Sequence, residues 1–95
     1  MTNSEKLRNL HITILAAFEQ ANDIEIYGNG YKGDKLLEID MAKDNLMFGI
    51  ECIIFNELAI IKNKMGIDYD PIEQDEIHSK YNDIKRLIIL PKSEI

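Results

Sequence analysis

The chain has 95 residues, and its 11 lysines and arginines against 17 aspartates and glutamates leave a net charge of −6 at pH 7. This length allows one domain with a modest core, and the negative charge argues against a generic binder of nucleic-acid phosphates. Because there is a single cysteine, an internal disulfide is excluded and a disulfide-stapled secreted scaffold is not expected.

No linker, repeat or low-complexity tract divides the sequence, so residues 1–95 are treated as a single domain. The N-terminus is polar rather than signal-like, and the most apolar stretch, residues 46–61, includes three polar residues and is a poor membrane span. We therefore expect a cytoplasmic protein with no membrane contact. The bias towards isoleucine, asparagine and lysine fits a low-GC bacterium or its phage.

The first predicted element is a helix over residues 3–21. Its apolar residues recur at spacings of three and four, which places them on one helical face. Thr2 and Glu5 have the spacing of a capping box at the start of this helix, and Asn22 with Asp23 breaks the pattern.

The second predicted element is a β-hairpin over residues 24–41. Residues 24–27 alternate between apolar and polar types, a glycine-rich loop follows at 28–34, and residues 36–41 form a second β-prone run. The loop is longer than a two-residue turn, so the register of the strands is not predicted.

The third predicted element is a helix over residues 44–65 that ends at Gly66. The helical stripe that predicts it consists of Met47, Ile50, Ile54, Leu58, Ile61 and Met65. Further apolar residues lie on its other faces, so this helix must be covered from nearly all sides.

The fourth predicted element is a helix that begins at Asp70-Pro71 and ends at Pro91. Asp70 has the character of an N-cap, Pro71 suits the first helical position and Glu73 suits the third. Residues 87–90 could instead form a short buried strand. The predicted fold is therefore α+β and mostly helical: a helix, a β-hairpin and two longer helices that form an antiparallel pair. An all-α bundle is the alternative.

The excess of apolar surface on helix 44–65 predicts self-association, most simply as a two-fold homodimer. The residues expected at this interface are Phe48, Ile53, Phe55 and Ile60. The alternative is that the hairpin and the first helix cover them within one chain.

The glycine-rich loop, residues 28–33, matches G-x-G-x-x-G, a pattern of dinucleotide-binding turns. The negative charge of Asp34, a poor helical stripe after the loop and the short chain argue against that interpretation and favour a hairpin loop. The residues Tyr27, Tyr31, Lys32 and Lys35 could still bind a small anionic or nucleotide-like ligand. An ordinary surface loop is the plainer interpretation.

An acidic run follows the third helix, and its predicted partner-binding patch consists of Asp68, Asp70, Asp75 and Glu76. Such a patch would attract a basic protein surface, although acids at a helix N-terminus have a structural explanation too. The spacing does not fit a calcium loop.

No catalytic set is predicted, and no metal site or cofactor. His11 and His78 lie on separate helices, Cys52 is expected to be buried in the core, and Glu51 is expected to be a half-buried carboxylate with a structural partner. A winged-helix DNA binder is excluded because neither C-terminal helix has a basic stripe.

The sequence therefore predicts a small acidic non-enzymatic binding protein that self-associates and inhibits or regulates a macromolecular partner. A phage or mobile-element accessory protein fits this description. The alternative is a small-ligand module that uses residues 27–35.

Overall fold

The computed structural model describes the backbone of residues 1–93 and the side chains of residues 1–86. Every regular element of the described backbone is helical. The elements are α1 (Asn3–Asn22), α2 (Gly33–Cys52), a π-helical segment (Ile53–Leu58), α3 (Ala59–Met65) and α4 (Gln74–Ser93). Since α2, the π segment and α3 follow one another without a break, they form one continuous helix over residues 33–65, called the long helix below.

Helix α1 begins with the predicted capping box. The Thr2 hydroxyl accepts the backbone N–H of Glu5 at 3.1 Å, and the Glu5 carboxylate accepts the backbone N–H of Thr2 at 3.2 Å. The helix ends at Asn22, where the sequence pattern breaks. The prediction of this helix is confirmed at both ends.

The predicted β-hairpin is wrong, and with it the α+β fold class. Residues 24–32 form an irregular connection in which Gly28 and Gly30 have φ values of 83° and 85°, and residues 36–41 belong to α2. Leu36 and Ile39 are half-buried on one helical face, and Lys43 holds the next inward position on that face. Because a lysine occupies an inward position, the apolar stripe of this helix is interrupted in the sequence and did not predict a helix. The described residues are all-helical, as in the alternative of an all-α fold.

Lys43 faces inward because it binds the end of α1. Its ammonium donates to the backbone carbonyls of Asn22 and Ile24, each at 2.8 Å. Helix α1 has no basic residue in its own last turn, so Lys43 supplies the positive charge that favours the carbonyl end of a helix.

The π segment changes which residues of the long helix face inward. A π turn takes up one more residue than an α turn, so the inward face moves by one position beyond it. Leu58 is buried and Ala59 and Lys62 are half-buried, whereas Ile61 and Met65 are 44% and 53% exposed. The predicted stripe is therefore wrong in its last two members.

The end of the long helix agrees with the prediction. Gly66 has a φ of 65°, its N–H donates to the carbonyl of Asn63, and the N–H of Ile67 donates to the carbonyl of Lys62 at 2.9 Å. These two bonds form a Schellman motif, in which a left-handed residue closes the helix.

Helix α4 begins later than predicted, at Gln74 rather than directly after Asp70. The Glu76 carboxylate accepts the backbone N–H of Glu73 at 3.3 Å, as the third residue of a capping box does. The backbone of α4 stays helical to Ser93, so the predicted stop at Pro91 and the alternative of a strand at 87–90 are both wrong.

Over the described residues, helix α1 lies between the other two helices and packs against both, while the long helix and α4 do not pack extensively against each other. The predicted antiparallel pair is therefore wrong. Among the described side chains the buried apolar residues are Leu7, Ile12, Ala16, Ala21, Ile26, Leu58 and Ile77. The radius of gyration is 16.2 Å, compared with about 12 Å for a compact domain of this length.

Candidate functional site

The long helix has a large exposed apolar surface. Leu58 is its only buried residue, and nine of its large apolar residues are between 44% and 71% exposed. These nine residues are Leu37, Met41, Leu46, Phe48, Ile53, Phe55, Ile60, Ile61 and Met65. Exposed apolar surface of this extent on a small protein marks an interaction site.

The exposed apolar residues of α2 lie on two flanks of its inward face. The 100° step of an α-helix places Leu37, Met41 and Phe48 on one flank, which we call the phenylalanine flank. It places Leu46 and Ile53 on the other, which we call the leucine flank. One helix therefore has two apolar surfaces that a single neighbour along one side cannot cover together.

The four predicted interface residues are all exposed. Phe48 and Phe55 are 68% and 71% exposed, and Ile53 and Ile60 are 45% and 52% exposed. Neither α1 nor the α1–α2 connection covers them, so the alternative of intramolecular cover does not describe this structure.

The predicted ligand-binding residues of the glycine-rich loop, Tyr27, Tyr31, Lys32 and Lys35, lie on the surface where α2 begins. The ammonium of Lys35 is 5.7 Å from the centroid of the Tyr31 ring, whereas Tyr27 is 70% exposed. Contrary to expectation, a helix does follow the loop. A dinucleotide turn also needs a preceding strand, and the described residues 24–27 do not form one.

The predicted acidic patch is divided. Asp68, Asp70 and Asp75 are exposed, whereas Glu76 is half-buried. The Glu76 carboxylate oxygens accept hydrogen bonds from both terminal nitrogens of Arg8, at N–O distances of 2.6 and 2.8 Å. The Arg8 guanidinium, with the backbone N–H of Glu73, lowers the pKa of Glu76 to about 2, and the same ion pair raises the pKa of Arg8. Glu76 therefore joins α1 to α4.

A cluster that the sequence did not predict joins α1, the long helix and the connection between the long helix and α4. The Nδ1 atom of His11 is 2.7 Å from the Tyr69 hydroxyl, and the ammonium of Lys62 is 4.6 Å from the centroid of the Tyr69 ring. Burial lowers the pKa of His11, and the charge of Lys62 lowers it further, while burial raises the pKa of Tyr69.

This cluster lies beside a cavity of about 210 Å³ next to the π segment. Its walls are formed by His11, Ile54, Phe55, Leu58, Ala59, Lys62 and Tyr69. In the sequence, His11 shares the helical face of Leu7 and Ile14, which indicates an inward position, but 58 residues separate it from Tyr69 and no local pattern connects them.

Two further predictions concern single residues of the long helix. Glu51 is exposed, so the expectation that it is half-buried within one chain is wrong, while the pairing of Glu51 with a cation of another subunit stays a prediction. Cys52 is half-buried. Among the described residues, no group of three or more histidines, cysteines and acids could hold a metal ion.

None of the helices within the described part of the chain combines the length and apolarity that a membrane crossing requires. No protein-family model, curated protein or solved structure matches the chain.

Proposed function

We propose that this chain is a small cytosolic, non-enzymatic binding protein that works as a homo-oligomer and, in that form, inhibits or regulates a macromolecular partner. The observation that carries the proposal is the exposure of nine large apolar residues along one helix. Full burial of such a side chain contributes about 1.5–3 kcal/mol, so leaving the surface in water forfeits considerable stabilisation.

A second copy fits the leucine flank. Between residues 42 and 53 this flank consists of Ala42, Leu46, Gly49 and Ile53, with no charged side chain among them. Two copies that each carry a charge of −6 repel at long range, so contact is favoured where no charge becomes buried. A Cβ at Gly49 would meet no atom within 4 Å, so space for a close neighbour remains there.

The phenylalanine flank then remains for a macromolecular partner. Aromatic residues are enriched in the buried centres of protein interfaces, and Phe48 and Phe55 are the two most exposed large apolar residues of the long helix. The exposed acids Asp68, Asp70 and Asp75 would speed the approach of a partner with a basic surface.

Sedimentation equilibrium over a range up to high micromolar concentration tests self-association. We expect the wild-type chain to be a dimer at the upper end and Ile53→Glu to stay monomeric. Ile24→Glu is the matched control, because Ile24 is 48% exposed but lies in the α1–α2 connection.

A wild-type chain that stays monomeric at high micromolar concentration would overturn the proposal. Loss of the dimer in Phe48→Glu but not in Ile53→Glu would instead assign the contact between copies to the phenylalanine flank.

A further inference from the structure

We propose that the cavity beside the π segment binds small amphipathic monocarboxylates, with an aromatic ring or short hydrocarbon chain in the cavity and the carboxylate at Lys62. This site shares Phe55 with the surface proposed for a macromolecular partner, but no residue of the leucine flank or of the glycine-rich loop lines it. The proposal therefore does not depend on self-association.

The apolar part of the site accepts the body of such a ligand. Ile54, Phe55, Leu58 and Ala59 form most of the wall. The volume of about 210 Å³ is below the roughly 300–1,000 Å³ of cavities that hold drug-sized molecules, which limits the ligand to a small one.

The polar part of the site selects a negative charge. Lys62 is the only cation among the lining residues, and no acid is among them. By contrast, the cavity between α1 and α4 has three acids, Asp75, Glu76 and Asp83, against the single cation Lys80. In a chain with an overall negative charge, a cavity that contains a lysine and no carboxylate favours an anion.

Tyr69 orients the bound carboxylate, and His11 limits the positive charge of the site. When the Nδ1–H tautomer of His11 donates to the Tyr69 oxygen, the Tyr69 hydroxyl can donate to a carboxylate oxygen, and the Tyr69 ring already contacts the Lys62 ammonium by a cation–π interaction. Burial and the charge of Lys62 both lower the pKa of His11, which disfavours a second positive charge at the site. One positive charge at the site matches one carboxylate better than a doubly charged phosphate.

The π segment explains why the cavity exists. By moving the inward face one position along the chain, it brings Ala59 and Lys62 towards α1 in place of larger apolar residues. The small side chain of Ala59 leaves the space open, and π turns inside helices recur at functional sites.

Binding can be tested with benzoate, using benzamide as a neutral molecule of similar shape. We expect benzoate to shift the NMR signals of the His11 ring in a saturable manner, with benzamide binding at least about tenfold more weakly. Lys62→Met should weaken benzoate binding by about tenfold or more, because it removes the charge and keeps an apolar side chain.

Lys64→Met is the matched control, because Lys64 is exposed on the same helix and does not line the cavity. It should change benzoate binding by less than about twofold. Ala59→Leu should fill the cavity and abolish benzoate binding, while circular dichroism should show an unchanged helix content. This second variant tests the site even if Lys62→Met folds poorly.

Equal binding of benzoate and benzamide, equal effects of Lys62→Met and Lys64→Met, or benzoate binding that survives Ala59→Leu would each overturn the proposal. The first of these results would indicate adsorption to the exposed apolar flanks instead.

Discussion

Lys43 connects two helices through one side chain. Replacing it with methionine keeps its apolar length and removes both bonds to the carbonyl end of α1. We expect Lys43→Met to lower the free energy of unfolding by about 1–2 kcal/mol, as measured by urea denaturation. Lys35→Met is the control, because Lys35 is exposed at the start of α2; an equal loss in both variants would contradict the assigned role.

The ion pair of Arg8 and Glu76 makes stability depend on acidity. The pKa of Glu76 is about 2 in the folded chain against an ordinary value of 4.5. Its contribution is therefore complete above pH 4.5 and is lost as the pH falls from there towards 2, since the unfolded chain takes up the proton first.

Glu76→Gln should therefore be less stable than the wild type at pH 7 and should lose less stability on acidification below pH 4.5. Urea midpoints at neutral and acidic pH measure this difference. Asp75→Asn removes an adjacent exposed carboxylate and should keep the acid sensitivity of the wild type. Identical acid profiles for Glu76→Gln and the wild type would contradict the role of the pair.

At the residue scale, sequence patterns predicted local contacts and missed distant ones. The capping box of Thr2 and Glu5 and the glycine stop at residue 66 each depend on neighbours a few positions apart, and both are present. The contact of His11 with Tyr69 and that of Arg8 with Glu76 join residues 58 and 68 positions apart. Only the tertiary fold brings those pairs together.

At the element scale, α1 was predictable because its apolar stripe, its cap and its end all agree. The segment 36–41 was not, because Lys43 interrupts the inward stripe and glycines precede it. The start of α4 was misplaced because Asp70 and Pro71 have the composition of a helix start, while the Glu76 carboxylate caps the backbone N–H of Glu73, directly before the first helical residue, Gln74.

Gly49, inside the long helix, and Gly66, directly after its end, should respond to alanine in opposite directions. Gly66 has a left-handed φ of 65°, so Gly66→Ala should lower the free energy of unfolding by about 1 kcal/mol. Gly49 has ordinary helical geometry and open space around a Cβ, so Gly49→Ala should raise it by about 0.5–1 kcal/mol. Thermal unfolding of dilute, monomeric protein compares the two, and a change of the same sign would contradict the helix-end assignment.

At the scale of the whole molecule, few apolar residues are buried in the core compared with the large apolar surface that stays exposed to water. Seven apolar residues are buried among the described side chains, and α1 contributes four of them. The extents of 48 × 31 × 22 Å describe helices spread on either side of α1 rather than a closed bundle.

Stability should therefore depend on protein concentration. If copies associate only when folded, the Tm of the wild type should rise as the concentration increases, because association removes folded monomer from the unfolding equilibrium. The Tm of Ile53→Glu should be independent of concentration. Calorimetry of both variants at low and high micromolar concentration measures this, and a constant wild-type Tm would contradict association of the folded chain.

The π segment also predicts where this chain tolerates a change of length. Because the segment already holds one residue more than an α-helical turn, deleting exposed Asn56 should restore an ordinary helix and leave the orientation of Ala59 and Lys62 unchanged. Deleting exposed Asn45 should instead turn one half of the helix by about 100° against the other. Leu46 and the residues after it would then no longer share a helical face with the residues before the deletion. Comparing the thermal stability of the two deletions would show whether residues 53–58 are a place where evolution can insert or remove a residue without rebuilding the protein.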